Sequence, residues 1–170
     1  NDFERAQLLR DLVALEAEND IILIDTGAGI GPDVMQMAAA ADSVLVVTAP
    51  EPTAVTDAYA AIKVRWQRGY AGQVSLLGNF AHDRQEARHT HQRLSSVARQ
   101  FLSMRVLDAG YVLEDPKVRE AVRRREPLVL AYPRCPASRC LAALATKLSA
   151  GGSLMAKRQS FFQKVSGWFA

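Results

Sequence analysis

The segment from Asp25 to Gly31 combines one carboxylate with three glycines in seven residues, a composition suited to binding a phosphate and a metal ion. A carboxylate at the end of a buried strand can hold a Mg²⁺ ion through a water molecule. Gly29, four residues further on, can bring its backbone N–H close to a terminal phosphate. The segment therefore predicts a site for a magnesium nucleoside triphosphate.

Two other interpretations of this loop stay open. A dinucleotide-binding loop needs the spacing G-x-G-x-x-G, but Pro32 occupies the position of the third glycine after Gly27 and Gly29. Asp25 would also stand where a pyrophosphate lies, and repulsion there is unfavourable. The remaining alternative is a tight turn in which Asp25 only caps the following helix.

The elements that would position this loop follow from runs of apolar residues. Three continuous runs and a weaker fourth predict strands at Asp20–Asp25, Ser43–Thr48, Val74–Asn79 and Ala109–Leu113. Helical spacing of apolar residues predicts helices over Phe3–Ala17, residues 53–68 and residues 83–102. Short strands that alternate with helices predict an α/β fold, a parallel sheet flanked by helices on both faces.

Composition narrows the class of protein. The chain has 170 residues, of which 49% are hydrophobic and 23% charged, as expected for one globular domain rather than a disordered chain. No apolar run reaches the roughly 18 residues that span a bilayer. Cys135 and Cys140 are too few for a disulfide scaffold, and their spacing does not match the usual C-x₂-C metal pairs. Because the chain opens on Asn1 and not Met, we expect it to be processed or a fragment.

Two longer motifs carry a resemblance to a known family. The runs DIILIDTGAGIG over Asp20–Gly31 and ADSVLVVTAPEPTAVTDAYA over Ala41–Ala60 closely resemble the MinD/ParA superfamily of deviant P-loop ATPases. Within it, D-T-G-A-G-I and P-E-P-T-x-x-T-D-A-Y are most similar to the FlhG branch (also called FleN or YlxH), which limits flagellar number and placement. The resemblance continues through Gly110–Val122 and Glu126–Val129 to the tail, and it implies a P-loop NTPase fold for nearly the whole chain.

The resemblance also implies roles for the residues that match. Asp25 corresponds to the Walker B aspartate that positions Mg²⁺, and Gly29 to the switch II glycine that senses the γ-phosphate. Asn79 stands where the family has an adenine-contacting asparagine, although an ordinary strand-end asparagine is the alternative. Asp115 lies in the loop beside the base, where the family commonly has a proline in place of Leu113. The implied catalytic residues are Asp25 and Gly29, and the implied ATP-binding residues are Asp25, Thr26, Gly27, Gly29, Asn79 and Asp115.

The family's phosphate-binding loop, K-G-G-x-G-K-[ST], has no counterpart here, since the chain contains no Gly-Lys dipeptide. Switch I and its aspartate are missing as well. We therefore expect the chain to be the C-terminal portion of an FlhG-like ATPase, N-terminally incomplete and inactive alone. ATP and Mg²⁺ would then be cofactors of the intact parent protein.

The tail differs in character from the rest. Small residues over Ser149–Ser153 predict a linker, which divides the chain into an ATPase part (1–148), a linker (149–154) and an amphipathic helix (155–170). Apolar side chains share one face of that helix, with cations beside them and upstream: Phe161, Phe162, Val165, Trp168 and Phe169, with Lys157, Arg158 and Lys164. This pattern predicts peripheral attachment to an anionic membrane. The resemblance implies that the membrane is the inner membrane, bound on its cytoplasmic face. The alternative is a final helix that packs on its own domain.

The implied partners are ATP, a second copy of the chain in an ATP-dependent homodimer, the membrane surface and flagellar assembly proteins. DNA is a disfavoured partner, since Arg123–Arg125 is surrounded by the acids Glu114, Asp115, Glu120 and Glu126. Two alternatives from other classes stay open: a ParA-like DNA-partitioning ATPase, and a non-catalytic interaction module from a shortened gene.

Overall fold

The computed structural model describes residues 14–70, 72–149 and residue 161. Helix α1 is described over residues 14–18. The elements that follow are α2 (Pro32–Ala40), β1 (Ser43–Thr48), α3 (Pro52–Gln67), β2 (Gln73–Ala81), α4 (Arg84–Leu102), β3 (Val106–Leu113), α5 (Pro116–Arg124), α6 (Leu128–Ala131) and α7 (Pro136–Ser149).

The three strands form a parallel sheet in the order β1-β2-β3, with β2 in the centre. Helices α3 and α4 cover one face, where Ile62 of α3 and Leu94 of α4 pack with Val74 and Leu76 of β2. Helix α7 covers the other face, where Ala137 packs with Leu77 of β2. Helices thus cover both faces of the central strand, while β1 stays partly exposed at Leu45 and Val47. This arrangement confirms the α/β fold predicted from the sequence.

The predicted strands and helices of this core are confirmed, with small shifts at their ends. The run Ser43–Thr48 is β1, and the run Val74–Asn79 lies within β2. The weak fourth run is the second half of β3, which starts three residues earlier than predicted, at Val106. The predicted helices over residues 53–68 and 83–102 correspond to α3 and α4.

The predicted strand at Asp20–Asp25 is wrong, since residues 21–27 adopt no regular secondary structure. Leu23 is 79% exposed and Ile24 is 42% exposed, so the run is not buried on both faces. A strand forms only beside a neighbour that accepts its hydrogen bonds. In the described part of the chain β1 pairs with β2 alone and nothing pairs with residues 20–25.

The strands leave two irregularities beside the core. Between Leu76 and Leu77 the register slips so that Ala109 is an extra residue on β3, and Gly110 follows with φ +115°. Between Gly78 and Ala81 the register slips the other way, so that β2 carries one extra residue. Both are β-bulges, and the second lies at the carboxyl end of the central strand.

Of the described helices, none has the length and apolar character needed to cross a membrane. The tail residues predicted to bind a membrane lie outside the described residues, apart from Phe161. That residue is helical and half-buried, and its backbone N–H donates to Glu16 Oε1 of α1 at 3.1 Å. Helix α7 runs to Ser149, the first residue of the predicted linker, and the rest of the linker lies outside the described residues.

Candidate functional site

The loop before α2 is exposed to solvent, and its backbone conformation at Gly29 favours glycine. Asp25, Thr26 and Gly27 are exposed, and Gly29 has φ +103°, a conformation that L side chains rarely adopt. A Cβ placed on Gly27 or Gly29 would have no atom within 4 Å. The backbone N–H groups of this loop are therefore accessible to a ligand.

Helix α2 begins without a side-chain cap. Gly31 is its N-cap residue, with Pro32 next and no side-chain hydrogen bond to the first turn. Asp25 consequently does not cap α2, so the tight-turn alternative from the sequence is not what the structure contains. The carboxylate of Asp25 is exposed and directed by no such bond, which leaves it available to a cation.

The far end of α2 is fixed by a buried arginine. Arg65 of α3 is 4% exposed, and its Nη2 donates to Ala38 O of α2 at 2.6 Å. Its guanidinium lies 4.2 Å from the ring centre of Tyr70, whose hydroxyl donates to Ala41 O at 3.1 Å. Burial lowers the pKa of Arg65 and raises the pKa of Tyr70. These contacts hold the C-terminal end of α2 on α3, and the loop before α2 is positioned from there.

Sequence reasoning missed Arg65, although a signal was present. Ala58, Ile62 and Arg65 are spaced i, i+4 and i+7 on α3, which places the arginine on the same face as two core residues. A charged residue on an apolar helix face needs a hydrogen-bond partner when buried. The periodicity therefore indicated a buried, partnered arginine.

The carboxyl ends of the three strands meet at one edge of the sheet. Thr48 ends β1 and is buried, while Asn79 is half-buried near the end of β2. The Glu114 N–H donates to Ala81 O at 2.9 Å, which continues the β2–β3 pairing past the last residue of β3. The structure thus brings Asn79 and Asp115 to neighbouring strand ends. This edge of an open α/β sheet is where ligands usually bind.

Asp115 uses both carboxylate oxygens inside the protein. It is 7% exposed; Oδ1 accepts from the Lys117 N–H at 2.9 Å, and Oδ2 accepts from the Ala137 N–H at 3.2 Å. Burial raises the pKa of Asp115, but hydrogen bonds from Lys117, Ala137 and Cys135 outweigh it and hold the pKa below its usual value. The residue therefore joins the N-termini of α5 and α7, and this geometry gives it a positioning role; contact with a base stays a prediction.

The cysteines and histidines form no metal site among the described residues. Cys135 stands just before α7, where its Sγ accepts from the Ser138 N–H at 3.4 Å, as expected for a small residue at a helix start. His82 and His89 are exposed, and His91 is half-buried. None of these residues adds chemistry to the carboxyl edge.

Comparison with solved structures identifies the fold. The fold matches that of the septum site-determining protein MinD complexed with Mg-ADP from Pyrococcus horikoshii OT3, with a TM-score of 0.64 at 21% identity. The match covers 85% of this chain and 57% of that chain. The chain therefore has the α/β fold of the MinD-type P-loop NTPases.

Two curated relatives place the chain within that class. It is 34% identical over 145 residues to the antiactivator FleN of Pseudomonas aeruginosa, which covers 85% of this chain and 52% of FleN. It is 32% identical over 153 residues to the flagellum site-determining protein YlxH of Helicobacter pylori, which covers 86% of this chain and 51% of YlxH. The chain belongs to the FlhG branch of the MinD/ParA-like proteins. It spans about half the length of the curated relatives it matches. No protein-family model matches it.

Proposed function

We propose that this chain is the C-terminal part of an FlhG-type ATPase that regulates flagellar number or placement. The observation that carries the proposal is the Asp25–Gly31 loop, with its exposed carboxylate, its glycine at φ +103° and its open backbone. The similarity to FleN and YlxH supports the flagellar role.

The loop fits a magnesium nucleotide. Asp25 supplies a hard oxygen ligand, which Mg²⁺ binds directly or through water, and the Thr26 hydroxyl stands beside it. When bound, the magnesium ion supplies positive charge that offsets the charge of the β- and γ-phosphates. Gly29 would donate its N–H to the terminal phosphate, and a side chain at this position would force the backbone out of its φ.

The other residues of the proposed site lie at the strand ends. Asn79 would contact the base with its side-chain amide, and Asp115 would hold the adjoining loop in place through Lys117 and Ala137. The phosphate cradle itself is proposed to come from a Walker A segment outside these 170 residues, because no Gly-Lys dipeptide occurs in them. Such enzymes depend on that cradle for most of their charge stabilisation.

We further propose that the ATP-bound protein dimerises and attaches to the cytoplasmic face of the inner membrane through residues 155–170. Each large apolar side chain contributes about 1.5–3 kcal/mol when fully buried, but interfacial burial is partial. Ordering a free segment opposes binding, so one helix would bind weakly. Two helices on a dimer would bind far more tightly, which makes attachment dependent on ATP.

The ATPase proposal is tested with the Asp25→Asn variant of the protein extended by its own upstream sequence. Magnesium-dependent ATP hydrolysis should be lost in this variant and kept in the matched control Asp33→Asn, another exposed acid close by in α2. Equal activity of both variants would contradict the role of Asp25. A gene with no upstream K-G-G-x-G-K-[ST] sequence would overturn the ATPase proposal and favour a non-catalytic module.

The membrane proposal is tested by co-sedimentation with liposomes that contain anionic lipid. The chain should sediment with them, and a chain truncated after Ser153 should not. Sedimentation that survives the truncation would refute the anchor. Binding of duplex DNA that falls steeply with salt, without liposome binding, would instead favour a ParA-like role.

A further inference from the structure

Phe80 stands in a backbone conformation that an aromatic residue rarely adopts. Its φ is +56°, and its side chain is 57% exposed. The left-handed region is a genuine outlier for a bulky L-residue and costs about 1–2 kcal/mol. Strain of this kind persists where the surrounding structure imposes it, and it occurs mostly at functional sites.

The surroundings of Phe80 do impose this conformation. Phe80 lies within the bulge between Gly78 and Ala81, where β2 carries one extra residue. The next residue, Ala81, is fully buried and its carbonyl accepts from the Glu114 N–H at 2.9 Å. Phe80 lies between two fixed points of the chain, and the bulge turns it out of the regular alternation of the strand.

The segment after Ala81 is equally well defined. The Asp83 side chain accepts from the Glu86 N–H at 2.8 Å, and Glu86 Oε2 accepts from the His82 N–H at 2.7 Å. This reciprocal pair caps the start of α4 and leaves the backbone after Phe80 little freedom. The aromatic ring is thus presented to solvent from a rigid support.

Phe80 lies at the edge of the sheet where the nucleotide is proposed to bind. Phe80 follows Asn79 directly and lies at the carboxyl edge of the sheet, between the ends of β1 and β3. A planar aromatic ring exposed at this edge offers a stacking surface to another planar ring. Every nucleobase has such a face, so stacking binds bases without distinguishing them.

We infer that Phe80 is the residue on which the base of the bound nucleotide stacks. This inference deepens the proposed function and rests on it. Stacking fixes the plane of the base, and the neighbouring Asn79 is left to read its edge. The strained φ of Phe80 then has a simple cause. The ring is presented to solvent, while the next residue, Ala81, must still pair with the end of β3.

The test uses the 170-residue chain and nucleosides, which carry no phosphate and so do not depend on the phosphate cradle. Binding of adenosine and of guanosine is measured by saturation-transfer NMR. Phe80→Ala should weaken both by about 5- to 140-fold, which corresponds to the 1–3 kcal/mol measured for one base on one aromatic ring. Phe80→Tyr should retain binding.

Phe101→Ala is the matched control, since Phe101 is 64% exposed and lies at the far end of α4, away from the carboxyl edge. It should bind nucleosides like the wild type. Equal binding by Phe80→Ala and wild type would overturn the stacking role, as would a wild-type chain that binds no nucleoside. A Phe80→Ala variant that changes only self-association in sedimentation velocity would also overturn it, and would assign the ring to a protein contact. The Asp25-dependent ATP hydrolysis is a separate readout, so the ATPase proposal can stand when the stacking role fails.

Discussion

Replacing Asp115 by asparagine should destabilise the protein far more than its small change in shape suggests. One carboxylate oxygen accepts from the Lys117 N–H and the other from the Ala137 N–H. Asparagine has one acceptor oxygen and one NH₂ group with two donor hydrogens, so its NH₂ group would face an N–H group at one of the two positions. A buried hydrogen bond to a charged group contributes about 1.5–3 kcal/mol, and an amide left without a partner adds its own penalty. We expect a loss of about 2–4 kcal/mol in the free energy of unfolding.

The measurement is urea unfolding followed by far-UV circular dichroism, with Glu114→Gln as the matched control. Glu114 is the adjacent acid, and its ion pair with Arg119 is 3.3 Å long with both side chains more than half exposed. Exposed pairs of this kind contribute less than about 1 kcal/mol. For a domain of this size, 1 kcal/mol corresponds to about 2–4 °C in the melting temperature. Thermal melts should therefore separate the two variants clearly.

The pH dependence has a definite sign. The pKa of Asp115 is lower in the folded protein than in the unfolded chain, so its contribution to stability is complete above the unfolded value of about 3.9. It is lost as the pH falls through the lower folded value. The difference between wild type and Asp115→Asn should be full at neutral pH and should narrow below about pH 4. A difference that equals that of Glu114→Gln, or that persists unchanged in acid, would refute the double-cap interpretation.

Three further changes test the loop, the arginine and the bulge. Arg65→Lys should lower the free energy of unfolding in urea by about 2–4 kcal/mol, because it breaks a buried hydrogen bond of a charged group. The control Arg68→Lys, at the exposed end of the same helix, should leave that free energy nearly unchanged. Equal losses in the two variants would contradict the role of Arg65 in holding α2. Gly29→Ala should lower nucleotide binding by the extended protein in equilibrium titration, because alanine is strained at φ +103°, and Gly27→Ala should affect it less. Phe80→Gly should melt at a higher temperature than Phe80→Ala. Both variants lack the ring, but only alanine keeps about 1 kcal/mol of backbone strain at this positive φ. A lower melting temperature for Phe80→Gly would contradict the backbone strain at this bulge.

The local sequence pattern predicts the core because buried segments contain recognisable runs of apolar residues. The run Ser43–Thr48 and the run Val74–Asn79 are continuous and largely apolar, and both are strands in the sheet. The run Asp20–Asp25 has the same pattern and forms no strand here. Such a pattern reports that a segment is suited to burial, but pairing depends on a neighbour elsewhere in the chain.

The sequence predicts the candidate site only where local residue types carry the chemistry, and its contacts with a nucleotide stay a prediction. Gly29 could be identified as a candidate because a glycine four residues after a strand-end carboxylate can offer its N–H to a phosphate, and its φ of +103° is a conformation that favours glycine. The second partner of Asp115 could not, since Ala137 lies 22 residues further along the chain and only the folded protein brings them together. Phe80 gave no local signal either, because phenylalanine is not a residue typical of left-handed backbone. Its conformation is set by the register of β2 against β3.

Among the described residues, β1 and β3 are the outer strands of the sheet, and they differ in how well they resist pairing with another molecule. Strand β3 carries the exposed acid Asp108 and a bulge at Ala109, whose carbonyl accepts from Lys147 of α7 at 3.2 Å. Strand β1 has the sequence SVLVVT, with neither charge nor proline, and its Val47 is 52% exposed. Edge strands without such gatekeepers are templates for intermolecular β-pairing and aggregation. Concentrated solutions of this chain should therefore aggregate through β1, and Val47→Lys should reduce that aggregation.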